Sequence, residues 1–446
     1  MTRVMKFVSY ALLLFIAGVS LASCHTIDNI IDDDEEIKQI RNVNLDNWAD
    51  NNFPHGVPLQ GFYKDVFMDA GVYLTTRYSL PAVDHLGLSL ESVSCTDILD
   101  TLWQNTIISG EEIDLNGRLL YPDGQPRYKI IYVCGGNSRT HGKSLRTTSL
   151  DRMRDFVNNG GSYLGTCAGA FFASNGYDDY PDYPYYLNLW PGMMHHTGLT
   201  ASRTGLFINP DSPLLNYYDF GGDNYVSDVR HNKGGYASVW PEGTELLARY
   251  DYPDIPTMHE QPAAWAYKPS PKSGRIIQEG SHPEEVGSGE RRDLTAAMIR
   301  YAIDGLGETT IKGLLTCDQP WIMDKSTLDA DPLHTMIGDL QYHHFAVYVP
   351  YGSSDLKITL TSPTDCDLQL AVSFHTYAYS DVADFVSDSK GPNQEYFIHK
   401  PISGLWFISV RCLTTVIAKD TELGQEYSGR TDVLNGVPYT ILATWD

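Results

Sequence analysis

Residues 160–174 read GGSYLGTCAGAFFAS, and this stretch decides the fold. A short apolar strand (162–164) runs into Gly165-Thr166-Cys167-Ala168-Gly169, and a helix-compatible apolar segment (170–174) follows directly. Strand, tight glycine-flanked turn and helix is the geometry of a nucleophile elbow. Small residues on either side let the backbone turn sharply and keep the approach to the sulfur open. Cys167 then stands at a helix start, where the helix dipole and free N–H groups favour the thiolate, the reactive form of cysteine. The plainer reading is a structural cysteine in an ordinary strand-to-helix turn, but glycine at both i−2 and i+2 is unusual for a packing position.

A nucleophilic cysteine needs a base, a group that orients the base, and an oxyanion site. Residues 274–280 (GRIIQEG) predict a short buried strand, followed by Ser281-His282-Pro283-Glu284-Glu285. His282 falls just past the strand end, where catalytic groups of open α/β sheets gather. Glu284, across a stiffening proline, is placed to hold the imidazole in the tautomer that accepts a thiol proton. Upstream, residues 129–133 (KIIYV) predict another buried strand. It ends in Cys134-Gly135-Gly136-Asn137, whose bare N–H groups are suited to join that of Ala168 around an oxyanion. Alone, His-Pro-Glu is usually a loop tripeptide. Three pieces in this order, each at a strand end, together point to a site.

The order Gly-Gly loop, Gly-x-Cys-x-Gly elbow, His-Pro-Glu resembles the class I glutamine amidotransferase-like superfamily. The fuller string around Cys167 is similar to the N-terminal domain of eukaryotic-type biotin-protein ligases, and the resemblance covers residues 61–308. It implies a flavodoxin-like three-layer α/β/α fold, a Cys-His-Glu triad on Cys167, His282 and Glu284, and oxyanion donors at Gly136 and Ala168. Two departures matter. Glutaminases of the superfamily usually carry Gln or His shortly after the elbow glycine, where this chain has Ala170 and Phe171. Residues 287–292 (GSGERR) have the flavour of a biotinyl-adenylate loop but no ligase-like surroundings, and read more simply as a loop before a helix at 293–305. Neither biotinylation nor any cofactor is expected.

The first residues, MTRVMK, carry two positive charges, and residues 7–21 form an apolar run too short for a stable membrane span. Leu21-Ala22-Ser23-Cys24 resembles a bacterial lipobox, which implies cleavage before Cys24 and lipidation of its thiol. An ordinary secretory signal with an incidental cysteine is the alternative. The expected location is the bacterial cell envelope, extracytoplasmic and lipid-anchored. Residues 32–36 (DDDEE) read as a solvated tether, and an acidic patch near a lipidated cysteine also resembles a surface-export signal of some Gram-negative bacteria.

With 446 residues, the chain has room for two ordinary domains. A formal net charge of −24 argues against nucleic acid, whose phosphates would be repelled. The 29 Tyr suit carbohydrate or peptide contact, and equally β-rich surfaces in general. Of seven cysteines, Cys95, Cys134, Cys317, Cys366 and Cys412 are left once Cys24 and Cys167 are set aside. Cys366 and Cys412 are candidates for a bridge within one C-terminal domain, although connectivity does not follow from sequence. Cys134 reads as a small buried apolar residue.

The expected organisation is a signal segment (1–24), an acidic tether and lead-in (25–60), an α/β domain (61–308) and a β-sandwich (309–446). In the α/β domain, residues 65–74 read as a first strand, 80–88 and 95–102 as short helices, and 149–158 as an amphipathic helix stopped by Gly160-Gly161. The Tyr-, Pro- and Gly-rich stretch 175–271 holds alternating strands such as 237–240 and 246–252, and is expected to cover the site mouth. From about residue 309 short strands (345–349, 356–361, 368–372, 395–398, 406–410, 439–444) alternate with turns, as in a sandwich. Their pattern resembles the pre-peptidase C-terminal domains of secreted enzymes, and implies no chemistry there.

No zinc-like spacing occurs, so no metal is expected; the pairs His195-His196 and His343-His344 point to opposite faces if in strands. His141, His231 and His259 read as surface or hydrogen-bonded histidines, and Arg139 and Arg146 as solvated loop residues.

The favoured function is an extracytoplasmic cysteine hydrolase or amidase that attacks a C–N acyl bond in a small molecule, peptide or envelope fragment. A catalytically silent binding lipoprotein with a glycan or protein ligand is the alternative. A glutamine amidotransferase ranks third, since secretion separates it from cytoplasmic ATP and glutamine.

Overall fold

The computed structural model describes residues 54, 56–71, 74, 80–94 and 100–446. The readings made on the signal segment, Cys24, the acidic run and Cys95 lie outside the described residues.

The first half is built on strands whose residues are buried almost throughout, as expected where both faces of a parallel sheet are covered. In order along the chain they are β1 (Lys64–Ala70), β2 (Leu90–Ser94), β3 (Tyr128–Val133) and β4 (Ser162–Thr166). The long stretch that follows contributes β5 (Ser174–Tyr177), β6 (Trp190–His196), β7 (Ser202–Ile208), β8 (Tyr225–His231), β9 (Gly235–Val239), β10 (Glu245–Asp251) and β11 (Pro262–Tyr267), before β12 (Ile276–Glu279). The main sheet has the order β2-β1-β3-β4-β12-β11-β10-β7-β8. Its first five strands are parallel, and their 2-1-3-4-5 order is that of a flavodoxin-like sheet. The helices are α1 (Pro81–Leu86), α2 (Asp100–Ser109), α3 (Ser138–Ser144), α4 (Thr147–Asn158), α5 (Ala168–Ala173) and α6 (Glu290–Ile303). The amphipathic reading of α4 is borne out: Leu150, Met153, Phe156 and Val157 are buried, and Gly160 follows at φ +113°.

Three local expectations are corrected. Strand β2 was unread, because Leu-Glu-Ser-Val-Ser alternates too weakly to announce itself. Of the helix expected at 95–102, residues 95–99 lie outside the described residues, and the described helix, Asp100–Ser109, runs past the expected end. The lead-in does not stay free to residue 60: Leu59 N–H donates to Gly307 O (2.9 Å) and Thr309 N–H to Val57 O (2.7 Å). The stretch 175–271 divides in two. Strands β7, β8, β10 and β11 continue the main sheet antiparallel, while β5, β6 and β9 form a small sheet of their own.

The C-terminal half is two sheets on one apolar core. One runs Gly313–Leu315, Tyr342–Val349, Gly404–Cys412, Leu368–Phe374, Phe385–Val386; the other runs Trp321–Met323, Tyr439–Trp445, Asp355–Thr361, Gln394–His399. Alternate residues of both, such as Phe345, Leu370 and Ile408 against Ile358 and Ile441, meet in the same cluster. The α/β and β-rich regions have separate cores, yet residues 54–446 form one compact unit, and Tyr63 packs on both cores. Cys366 and Cys412 are buried thiols rather than a bridge: the Cys366 sulfur accepts from Arg430 (2.8 Å), and Cys412 lies directly opposite Leu368, not Cys366.

Candidate active site

Strand β4 lies between β3 and β12, so the segment leaving it is walled by the carboxyl ends of two neighbours. Cys167 turns the chain with φ +48° and ψ −102°, a conformation L side chains rarely adopt and typical of strained functional turns. Two hydrogen bonds hold it: its N–H donates to Glu279 O (2.8 Å), and its carbonyl accepts from Phe171 N–H (3.2 Å). The sharp turn brings α5 so close to β3 that a methyl on Gly169 would sit 2.0 Å from Val133 O. Glycine is therefore required there by close approach.

The structure brings Cys167, His282 and Glu284 together. His282 leaves the end of β12 with its N–H donating to Arg230 O (2.8 Å). Its Nδ1 lies 3.0 Å from Glu284 Oε1, and the Cys167 sulfur is near enough to interact electrostatically with the ring. Burial alone would disfavour the imidazolium. The Glu284 carboxylate and the Cys167 sulfur outweigh it and push His282 up to about 11. Both sulfur and ring are nearly enclosed, at 4% and 6% exposure. Gly135 lies beneath the ring, where a methyl would sit 2.0 Å from His282 Cε1.

The two expected oxyanion donors belong to adjacent strand ends. Ala168 opens α5, and Gly136 (φ +147°) is exposed on the loop after β3 and bridged to Leu74. The next residue, Asn137, caps α3 by accepting from Thr140 N–H (3.1 Å). His141 of α3 is fully buried, the hydrogen-bonded of the two expected alternatives. Its Nε2 lies 2.8 Å from Asp69 Oδ2, its ring packs edge-on to Phe172, and Gln104 donates to the same carboxylate. This pins the loop from behind.

Several residues at the site went unread. Glu279 is buried, accepts from Ser281 N–H (2.8 Å) and Oγ–H (2.5 Å), and is pushed up to about 8 by burial, with Glu284 adding to the effect. The turn between β8 and β9 reaches over the sulfur: Asn232 O is 3.8 Å from Cys167 Sγ. His231 beside it is also buried, hydrogen-bonded to Thr197 (2.7 Å) and pushed down to about 4 by burial and by His282. No spacing rule in the sequence marks that hairpin, because its partner residues lie about fifty positions away. His259, by contrast, is half-buried and accepts from Tyr252 N–H (3.2 Å).

Phe171 is 3% exposed, stacked on His196 (centroids 4.7 Å) and edged by Tyr177 (6.3 Å). His195 and His196 share one carboxylate, Asp178, at 2.8 and 2.5 Å rather than facing apart. His343 and His344 are both buried in the C-terminal core. Arg139 and Arg146 are exposed, and Arg139 donates to Tyr177 Oη (3.4 Å). Among the described residues no group of three or more His, Cys, Asp or Glu side chains is arranged to hold a metal, and no helix is long and apolar enough to cross a membrane.

With this geometry in hand, comparison with known proteins gives three results. Residues 122–178, from the lead into β3 through α5 to β5, match the family "Biotin-protein ligase, N terminal". The biotin–protein ligase of Schizosaccharomyces pombe is 26% identical over 222 residues, 44% of this chain; the chain spans about a third (33%) of that protein's length. Among solved structures, a glutamine amidotransferase aligns at TM-score 0.32 and 18% identity, over 52% of this chain and 98% of that one. The pre-peptidase C-terminal domain of a Bacillus anthracis collagenase aligns at 0.17 and 6%, over 31% and 100%. The chain thus has an α/β domain of the expected class, similar to the N-terminal part of biotin-protein ligases, followed by a β-rich domain.

Proposed function

We propose that the protein is a cysteine amidase or hydrolase that cleaves a C–N acyl bond through Cys167, His282 and Glu284. The observation that carries this reading is the grouping of the three side chains: His282 Nδ1 lies 3.0 Å from Glu284 Oε1, and the Cys167 sulfur is set beside the ring on a strained turn at the strand ends. In the proposed reaction the Cys167 thiolate attacks the acyl carbon, and the N–H groups of Gly136 and Ala168 receive the oxyanion. The His282 imidazolium gives its proton to the departing amine as the C–N bond breaks, leaving a thioester. Neutral His282 then takes a proton from water, the hydroxide attacks the thioester, and the thiolate leaves with the carboxylic acid as product. Glu284 keeps the ring oriented and offsets its charge throughout.

The aromatic stack around Phe171 fills the side of the elbow helix where the glutaminases carry Gln or His, which favours hydrolysis of another amide over glutamine turnover. Part of the same proposal is a lipid anchor at Cys24 that holds the enzyme outside the cytoplasm, where a peptide or envelope fragment is the substrate; palmitate labelling lost in Cys24→Ser tests that part.

The chemistry is tested by treating the full chain with an activated acyl donor such as p-nitrophenyl acetate and mapping the adduct. An acetyl group on Cys167, discharged by water and slowed in His282→Ala, is the expected result. Acylation scattered over other residues, or equal release by Cys167→Ala, overturns the reading. Ammonia release from glutamine at a comparable rate would move the protein to the amidotransferases.

A further inference from the structure

The turn that overhangs the sulfur carries two cations. Arg230 precedes His231-Asn232 and Lys233 follows, and Asn232 O is the atom 3.8 Å from Cys167 Sγ. The segment is fixed: Arg230 O accepts from His282 N–H (2.8 Å), Ala201 N–H donates to Asn232 Oδ1 (3.1 Å), and Lys233 N–H donates to Leu199 O (2.8 Å). Both cationic residues are exposed. Lys233 makes no ion pair among the described residues. Arg230 uses Nη1 for Glu285 Oε1 (2.5 Å), which leaves the rest of a half-exposed guanidinium facing solvent. This placement stands out in a chain with 56 acidic residues against 32 Lys and Arg. The two other carboxylates of this corner, Glu279 and Glu284, are buried behind the ring and committed to Ser281 and His282.

We propose that Arg230 and Lys233 form a cationic lip that selects acyl donors carrying a carboxylate next to the scissile amide. The proposal rests on the reading of Cys167 as nucleophile and names the substrate class for that site. A guanidinium binds a carboxylate in a fixed fork, and a lysine adds a mobile point charge. Near a protein surface such charges act at an effective permittivity of about 20 rather than that of water. The lip also offsets the repulsion that a net charge of −24 imposes on any anion approaching the protein. Electrostatics at Arg230 agree: its proton affinity is raised first by the Glu285 hydrogen bond, and further by Glu284 and Cys167, so its field reaches the reacting sulfur.

The test uses two small alkylating agents of nearly the same size, iodoacetate and iodoacetamide, on the full chain, with the rate at Cys167 read by peptide mapping. The ratio of the two rates is the measurement, because it cancels differences in thiol reactivity between variants. We expect the wild-type ratio to exceed that of an Arg230→Gln, Lys233→Asn double variant by about tenfold, and to collapse at about 1 M salt. Asn is chosen at 233 because the residue sits at φ +57°, which Asn tolerates. Glu285→Gln, which releases the guanidinium, should raise the ratio, a direction that mere loss of structure would not produce. A ratio unchanged within about twofold in the double variant, with iodoacetamide still labelling Cys167, overturns the lip while leaving the nucleophile in place. Cys167 inert to both reagents overturns the nucleophile reading itself, and the lip with it.

Discussion

Two buried charge clusters lie at opposite ends of the same parallel strands. At the amino ends of β1 and β3, Arg127 meets Asp339 of the β-rich domain (2.9 Å), and Arg118 meets Glu91 (2.7 Å). Arg127 also lies 4.6 Å from the Tyr63 ring centre, and Arg118 lies 3.5 Å from that of Tyr427. Opposite charges and aromatic faces oppose one another there, and the cluster joins the two domains. At the carboxyl ends the pattern is the reverse. Two acids, Glu279 and Glu284, are buried behind one imidazole, the proximity of Glu284 helps keep Glu279 protonated, and Glu284 Oε2 has no hydrogen-bond partner among the described residues. Cys167 is held in a strained conformation beside them. At the amino ends opposite charges meet and serve cohesion between the domains, although Arg127 Nε and Nη1 and Asp339 Oδ1 there also lack hydrogen-bond partners among the described residues. The carboxyl ends hold their charges in tension, as sites of proton transfer do.

This contrast can be broken in three places. Arg127→Ala leaves Asp339 buried and unpaired, and should cost about 3–5 kcal/mol in denaturant unfolding, with the two domains losing cooperativity. A cost below about 1 kcal/mol would place the pair among weak surface bridges and end the cohesion argument. The second test concerns Glu279. Its folded-state carboxyl is pushed from 4.5 up to about 8, so between those values the folded protein holds a proton that the unfolded chain has lost. Stability must then fall as pH rises through that window. Glu279→Gln removes this group's share of the slope, and relative to wild type it should gain roughly 2–4 kcal/mol between pH 5 and pH 8. Parallel stability-versus-pH curves for the two proteins would contradict this. The smallest effect is expected of Gly135→Ala, whose methyl would fall 2.0 Å from His282 Cε1. Overpacking of that kind costs about 1–3 kcal/mol, and Cys167 labelling should slow because His282 is displaced. Unchanged labelling would mean that the ring tolerates the shift.

Much of the site was legible because its chemistry is local. Glycines around Cys167 and a proline between His282 and Glu284 report backbone demands that a single stretch of chain must meet. The strands were legible for the same reason: YKIIYV and SYLGT are apolar runs bounded by turn residues. What escaped reading depends on distant partners. Glu279 looks like any strand residue until β4 and the Glu284 turn close over it. The turn at 230–235 belongs to the site only because its backbone pairs with His282. Arg118 and Asp123, in the turn-rich stretch before β3, lock the β-rich domain in place through Gln425 O (3.0 Å) and Lys312 (2.6 Å), partners 307 and 189 positions away. The sequence leaves His141 open between a surface and a hydrogen-bonded histidine because nothing nearby foretells Asp69 as its partner.

The central claim is that His282 and Cys167 act as one unit. The most direct measurement is competitive iodoacetamide labelling of the full chain between pH 6 and pH 9, in wild type and His282→Ala, with each thiol quantified by peptide mapping. Cys317 serves as the internal reference: it is the most exposed of the described thiols, and burial pushes its thiol up. The account predicts that Cys167, though nearly enclosed, reacts well ahead of Cys317 at neutral pH, and that His282→Ala abolishes this lead. Labelling of Cys167 no faster than Cys317 in wild type, or a lead that survives the loss of His282, would contradict it.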